Sequence, residues 1–187
     1  MPKIVQEVAF DGAQTKIQRL GLEGLVDEIR AILSGFQLLI EEKKHANSGK
    51  EVRKCIDGEF ARVGGWQNTV SGDIDWVKCK SVNGTKVCVG VEVQVSIRSD
   101  LITRDIVHFQ KQLRQGAVDL CVLILPSDRM ARYLPDRAPH FSAGLRIVEE
   151  MRADDLPMLL IAIEHDGAGA FLQKATTNKG SGKKKTG

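Results

Sequence analysis

Residues 71–94 read SGDIDWVKCKSVNGTKVCVGVEVQ, and this stretch decides the fold. Asn83-Gly84 stands between two runs of alternating residues, a combination typical of a two-residue β-hairpin turn. In such a turn Val82 faces Thr85, and this pair sets the register of every residue pair further along the two strands. The sequence therefore predicts a long antiparallel hairpin with a defined register.

Two pairs of polar residues face each other in that register: Asp75 lies opposite Glu92, and Asp73 lies opposite Gln94. All four side chains point to the same side of the ribbon, with directly opposed Cβ atoms about 4.5–5.5 Å apart. Two carboxylates at this distance repel each other unless a positive charge or a proton lies between them. The pattern predicts a site for a divalent cation with hard oxygen ligands, Mg²⁺. The alternative is a solvated face on which both groups point to water.

The opposite face of the second strand consists of valines in unbroken alternation, namely Val87, Val89, Val91, Val93 and Val95. This alternation predicts a half-buried strand. A shift of one residue would expose every valine, so the register is strongly specified. The register in turn holds the acidic residues together, which favours the cation site.

The composition is that of a globular protein, with 187 residues, 42% apolar and 27% charged. A formal charge of +3 permits a nucleic-acid partner without requiring one. No secretory signal opens the chain and no apolar run approaches the ~18 residues of a membrane span, so a cytosolic protein is expected. We predict a single domain over residues 1–172, followed by a disordered basic tail over residues 173–187.

The four cysteines contain no CxxC pair, which argues against a zinc ribbon. Cys79 and Cys88 face each other in the predicted hairpin. In a reducing cytosol they are expected to be free thiols, with a disulfide as the alternative. A phosphate-binding loop of the GKS/T type is absent from the sequence, and the four histidines stand in unrelated contexts, where we interpret them as surface or core residues. These observations disfavour an NTPase and a serine or cysteine hydrolase.

The segments around the hairpin predict an α/β fold with a central mixed β-sheet flanked by helices. Before the hairpin, a short edge strand at Ile4–Val8 precedes a helical period from Gln14 to Lys44 that is interrupted at Gly21 and Gly24. This helical region either packs on the core or forms a dimer face. After the hairpin, the predicted order is a helix over 101–115, a parallel strand over 118–125, a long polar connection over 126–142, a helix over 143–152 and a strand over 158–163.

Three short motifs within residues 59–163 carry a family resemblance: IDWVK at 74–78, VEVQ at 91–94 and ILPSDR at 124–129. Together with the order of elements, they are similar to the PD-(D/E)xK nuclease fold. Glutamine in the last place resembles the BglII type of restriction endonuclease, whereas the related BamHI type has glutamate there. The chain departs from the family in being compact and in separating its two acids by a wider hairpin.

The resemblance implies a type II restriction endonuclease, a homodimer that cuts double-stranded DNA at a short palindrome with Mg²⁺. Asp75 and Glu92 would be metal ligands, and the backbone carbonyl of Val93 could add an oxygen. Gln94 would orient the attacking water. Glu59 would be an auxiliary acid, with an exposed helix carboxylate as the alternative.

Relatives of this type often recognise sites centred on GATC, although no residue pattern here specifies the sequence. Candidate DNA contacts flank the strand ends near the site, and each could equally be a solvated surface group: Arg98, Ser99, Ser127, Asp128, Arg129 and Arg132. Two competing functions remain. One is a repair, defence or structure-specific nuclease of the same fold, and the other is a noncatalytic DNA-binding module.

Overall fold

The computed structural model describes residues 3–69, 73–95 and 100–170. Its centre is a six-stranded mixed sheet in the order β1-β7-β6-β5-β4-β3. A separate two-stranded parallel sheet pairs β2 with β8. The strands are β1 (Ile4–Ala9), β2 (Leu39–Ile40), β3 (Gln67–Asn68), β4 (Trp76–Val82), β5 (Thr85–Val93), β6 (Leu120–Pro126), β7 (Met158–Ile163) and β8 (Gly167–Ala168).

Strands β5, β6 and β7 run parallel, whereas β1, β3 and β4 pair antiparallel with their neighbours. The helices are α1 (Ala13–Arg19), α2 (Glu23–Ser34), α3 (Gly49–Val63), α4 (Leu101–Arg114), α5 (Asp128–Ala131) and α6 (Phe141–Glu150). The predicted α/β class with a mixed sheet is confirmed. Among the described residues, no helix combines the length and the apolar character that a membrane crossing requires.

The predicted hairpin forms with the predicted register, from Val82 opposite Thr85 to Trp76 opposite Val91. Asn83 and Gly84 have positive φ angles of 50° and 80°, as a two-residue turn between right-twisted strands requires. The turn chemistry and the alternation of side chains therefore agree on one pairing.

The expectation of free thiols in the hairpin is wrong, because Cys79 and Cys88 form a disulfide in the structure. Their Cα atoms lie 4.0 Å apart, directly across the ladder. The predicted register places the two cysteines directly opposite each other, and the structure contains the disulfide that was the alternative. Cys55 and Cys121 remain free.

The core has two layers, one on each face of the sheet. The valine face of β5 packs against α1, α2 and α3. The other face of the sheet packs against α4 and α6, through residues such as Ile106, Phe109 and Val148. The prediction of a half-buried β5 is therefore wrong, since every residue from Val87 to Val93 is buried. Helix α4, which connects β5 to β6, and helix α6, which connects β6 to β7, cover the face that was expected to meet water.

The helical period before the hairpin forms two helices separated at Gly21, whose φ angle is 61°. Its predicted extension to Lys44 is wrong, because α2 ends at Ser34 and the chain then forms β2. The apolar residues of α1 and α2 lie inside the core of the same chain. They serve core packing, which is the first of the two roles expected for this region. The predicted tail over residues 173–187 lies outside the described residues.

Candidate active site

Asp75 and Glu92 meet at the carboxyl end of β5, as the hairpin register predicted. Their carboxyl groups are hydrogen-bonded to each other, and Val93 N donates to Asp75 Oδ2 at 2.8 Å. Gly90, two residues before Glu92, leaves room for the side chain of Ile74, because a Cβ atom at that position would lie 2.9 Å from Ile74 Cδ1. Glu92 is only 4% exposed, so the pair is not a solvated face.

The two carboxyl groups differ in their protonation. Burial and the neighbouring Asp75 carboxylate raise the pKa of Glu92 to about 11. Burial alone would also raise the pKa of Asp75, but hydrogen bonds with Glu92 and Arg53 outweigh it and hold the pKa below its ordinary value. At neutral pH the pair therefore carries one proton on Glu92 and one negative charge on Asp75.

Arg53 of α3 supplies a positive charge to this pair. Its Nη2 lies 2.8 Å from Asp75 Oδ1, and its Nη1 donates to the Val93 carbonyl oxygen. Asp57 holds the guanidinium from the next turn of the helix, with Arg53 Nε at 2.8 Å from its Oδ2. Trp76 Nε1 in turn donates to Asp57 Oδ1 at 2.9 Å. A cation and a proton thus remove the repulsion that the sequence implied.

Gln94 directly follows β5, two residues after Glu92, and is likewise 4% exposed. Its Nε2 donates to Asp105 Oδ2 of α4 at 2.6 Å. Asp105 has no exposed surface, and the surrounding apolar residues raise its pKa by desolvation. Potential ligand atoms of Glu92, Asp105 and His108 all lie within 4.8 Å of one another. The site therefore extends from the hairpin onto α4.

Asp73 contacts α4 rather than the facing residue of the hairpin. Its carboxylate forms an ion pair with Lys111, and Gln112 Nε2 donates to Asp73 Oδ2 at 3.1 Å. Strand β4 begins at Trp76, so Asp73 precedes the ladder. The predicted position of Asp73 opposite Gln94 is therefore outside the strand ladder. Asp73 instead connects the start of the hairpin to α4.

The comparison with protein families agrees with this geometry. The family described as restriction endonuclease BglII/BglIII matches residues 6–163. The chain belongs to the BglII/BglIII restriction endonuclease family. The resemblance inferred from the sequence is confirmed, and the protein is a type II site-specific deoxyribonuclease acting on double-stranded DNA. A comparison with curated proteins finds no match.

Restriction endonucleases generally use a divalent metal ion, and the residues of this site fit one. One guanidinium reaches both Asp75 Oδ1 and the Val93 carbonyl, so the same two oxygens lie within reach of a single cation. Glu92 adds a carboxyl group hydrogen-bonded to Asp75. Oxygen donors of this kind are the ligands that hard divalent cations prefer.

The structure does not bring Glu59 to the endonuclease site. Its Oε2 accepts from Arg62 Nη2 at 2.7 Å, one turn along α3, and no described contact joins it to Asp75 or Glu92. Two residues earlier on α3, Asp57 supports Arg53 and so contributes to the site indirectly. Because of the way α3 is rotated on the sheet, Asp57 and not Glu59 contacts Arg53.

Of the six candidate DNA contacts, Arg98 and Ser99 lie outside the described residues. Ser127 is buried, donates to Glu164 Oε2 at 2.6 Å and caps α5, so its hydroxyl has a structural role. Arg129 donates to Glu42 at 3.0 Å and remains 46% exposed. Asp128 and Arg132 line a cleft.

This basic cleft has a volume of about 1020 Å³ and lies beyond the carboxyl end of β6. Its lining carries the cationic side chains of Lys44, Arg132, Arg137 and Arg146, which outnumber the acidic Asp128 and Asp136. Because β5 and β6 are parallel neighbours, the basic cleft and the carboxyl pair lie beyond the same edge of the sheet.

Sequence reasoning missed Arg53, Asp57, Asp105 and His108. Asp105 carried a detectable signal, because it stands between Ile102 and Phe109 on the stripe predicted to be the apolar side of α4. An acid on such a stripe indicates a buried polar contact. His108, interpreted as a surface or core residue, lies beside the acids.

Proposed function

We propose that this endonuclease is a Mg²⁺-dependent homodimer that cuts both strands of DNA at a short palindrome. The observation that carries the proposal is the pair of half-buried Asp75 and buried Glu92 beside the Val93 carbonyl, at the sheet edge that also bears the basic cleft. Buried paired carboxyl groups are costly for stability, which is the usual sign of a functional site.

In this proposal Asp75, Glu92 and the Val93 carbonyl hold the Mg²⁺ ion. When bound, the cation stabilises the charge that develops on the scissile phosphate and activates water. Arg53 must then release Asp75 and Val93, and Glu92 must lose its proton. The chain's own arginine and proton occupy these groups until the cation enters.

Gln94 is proposed to orient the attacking water by hydrogen bonding. An amide is a poor general base, so its contribution is one of position. The 2.6 Å bond from Gln94 Nε2 to Asp105 supports this role, because it fixes the orientation of the amide next to Glu92.

DNA is proposed to lie across the shared edge of the sheet, with the basic cleft binding its backbone. Arg132 lines the cleft, Arg129 is half-exposed beside it, and Asp128 contacts His140 at 2.6 Å. Arg98 and Ser99 follow β5 in the sequence and are proposed to contact DNA next to the cleavage site. Phosphate contacts by such residues position the duplex, whereas base contacts specify the sequence.

The homodimer is proposed from the symmetry of the substrate. A palindrome has a two-fold axis, and a two-fold dimer places one active site on each strand. The resemblance suggests sites centred on GATC, so DNA rich in such sites is the first substrate to test.

The test is incubation of the purified full chain with plasmid and phage DNA in Mg²⁺ or in EDTA. Discrete, reproducible fragments that require Mg²⁺ are expected, and mapping their ends gives the recognition site. Asp75→Asn should lose at least about a thousandfold in rate, because it removes a charged metal ligand. Arg62→Gln, which removes a surface ion pair of α3, serves as the matched control and should cut normally.

Two results would redirect the proposal. A smear of fragments would indicate a nonspecific nuclease, and preferential cutting of branched DNA would indicate a structure-specific one. Cleavage that persists in EDTA, or in the Asp75→Asn variant, would overturn the proposed metal site. Size-exclusion chromatography with light scattering tests the homodimer separately, and a monomer with a DNA duplex bound would contradict it.

A further inference from the structure

We propose that Glu92, Asp105 and His108 form a second cation site, which takes a divalent transition-metal ion such as Zn²⁺ or Mn²⁺. This site shares Glu92 with the proposed Mg²⁺ site, but its other two ligands come from α4. It goes beyond the proposed function, and its occupancy can be tested without any measurement of cleavage.

Two elements of the fold bring the three ligands together. Asp105 and His108 are three residues apart on α4, so they lie on the same face of the helix. Glu92 lies on the face of β5 that this helix covers, and it is buried there. One potential ligand atom from each residue lies within 4.8 Å of the other two, a spacing that one ion can bridge.

Two buried atoms at this position have no hydrogen-bond partner within the described part of the chain. They are Asp105 Oδ1, in a side chain with no exposed surface, and His108 Nδ1. Arg104 Nη2 lies 3.5 Å from Asp105 Oδ1, which is too far for a good hydrogen bond. Buried polar atoms are rarely left unpaired, because each one costs about 1–3 kcal/mol. A cation bound through these two atoms would satisfy both.

The other oxygen of Asp105 already has a partner. Asp105 Oδ2 accepts from Gln94 Nε2 at 2.6 Å, so a cation on Oδ1 leaves the bond to Gln94 in place. Glu92 likewise has two carboxyl oxygens and can serve both sites. The second site would therefore share Glu92 with the proposed Mg²⁺ site and share Asp105 with Gln94, the residue proposed to orient water.

The ligand types determine the class of metal. Mg²⁺ prefers oxygen ligands and water, whereas imidazole nitrogen suits Zn²⁺ and other transition metals. One imidazole with two carboxylates is a set that Zn²⁺ and Mn²⁺ accept, and three protein ligands leave a coordination position for solvent.

The test is calorimetric titration of the EDTA-stripped full chain with Zn²⁺, Mn²⁺ and Mg²⁺ in the absence of DNA. We expect Zn²⁺ binding to weaken at least about tenfold in His108→Asn and in Asp105→Asn, since each loses one ligand. Asp75→Asn keeps all three ligands and loses only the carboxylate hydrogen-bonded to Glu92, so its loss of Zn²⁺ affinity should be smaller than that of either α4 variant. Val107→Ala, an exposed neighbour on α4, is the matched control and should bind as the unmodified chain does.

The variants distinguish this site from other locations. Zn²⁺ affinity that falls in Asp75→Asn but not in the two α4 variants would place the ion in the Mg²⁺ site and overturn the inference. The inference is also overturned if the unmodified chain binds no Zn²⁺, or if His140→Asn, a substitution in the basic cleft, abolishes binding. Thermal unfolding in EDTA verifies that each variant is folded, and Mg²⁺-dependent cleavage by the unmodified chain tests the proposed function independently.

Discussion

Arg53 Nη2 lies 2.8 Å from Asp75 Oδ1, and the same guanidinium donates to the carbonyl oxygen of Val93. These are two of the groups proposed to hold Mg²⁺. A residue of α3 therefore supplies the positive charge that the hairpin needs when no metal is bound. Asp57, on the far side of the guanidinium, provides Arg53 with a second carboxylate to which it can remain bonded after it leaves the pair.

Arg53→Gln should tighten the binding of Ca²⁺ or Mg²⁺ by about tenfold. The cation must break the bonds of Arg53 to Asp75 and Val93, and hydrogen bonds to charged groups contribute about 1.5–3 kcal/mol. The measurement is calorimetric titration of the metal-free chain without DNA. Arg62→Gln, which breaks only the pair with Glu59, should bind the metal with unchanged affinity. Weaker binding in the Arg53 variant would mean that the guanidinium organises the ligands more than it competes for them.

Glu92→Gln should make the metal-free protein more stable at alkaline pH. The folded pKa of about 11 lies above the ordinary value of 4.5, so over this range the folded state keeps a proton that the unfolded state loses. The contribution of this proton to stability is complete below about pH 4.5 and decreases as the pH rises. Glutamine does not titrate and removes this dependence.

The measurement for Glu92 is urea unfolding in EDTA at several pH values between neutral and mildly alkaline. The free energy of unfolding of the unmodified chain should fall relative to that of Glu92→Gln by up to about 1.4 kcal/mol per pH unit. Parallel pH profiles for the two proteins would show that Glu92 is already ionised in the metal-free protein.

Gln94→Glu should destabilise the metal-free protein by about 1–3 kcal/mol, because it replaces the donor to a buried carboxylate by a second acceptor. Adding Asp105→Asn to this variant restores a donor–acceptor pair with the direction reversed, and at least half of the lost stability should return. Urea unfolding in EDTA measures both. Gln112→Glu changes the analogous bond to Asp73 at a half-buried position and should have a smaller effect. If the stability lost in the double variant equals the sum of the losses from the two single substitutions, Gln94 and Asp105 are not coupled.

Arg132→Gln should weaken DNA binding by a similar factor for every sequence, because we assign this residue of the basic cleft to phosphate contact. The slope of log affinity against log salt should decrease by about one. Fluorescence anisotropy in Ca²⁺, from about 50 to 200 mM salt, measures both quantities. Arg30→Gln removes the same charge from a pair with Glu7 and should leave the slope unchanged. A selective loss of affinity for the cognate site alone would assign Arg132 to base recognition.

The sequence by itself determined the hairpin and the pairing of its acids. Asn83-Gly84 and the alternating valines are local signals, because a turn type and a strand period depend only on neighbouring residues. From them follow the facing of Asp75 with Glu92 and the place of Gln94 two residues further along. The order of α4, β6, α6 and β7 after the hairpin could be predicted for the same reason, to within a few residues at their ends. Helix α3, the short helix α5 and the short strands β2, β3 and β8 were not predicted.

Only the tertiary structure decided which other residues reach those acids. Arg53 contacts Val93 across 40 positions of the chain, and no local pattern encodes that distance. The choice of Asp57 over Glu59 depends on how α3 is rotated on the sheet, and the contact of Asp105 with Gln94 depends on how α4 packs over β5. The burial of Glu92 has the same origin, since α4 and α6 cover a face that alternation alone predicted to be wet. Secondary structure follows from periodicity along the chain, whereas the charge state and the ligands of the site follow from the packing of helices on the sheet.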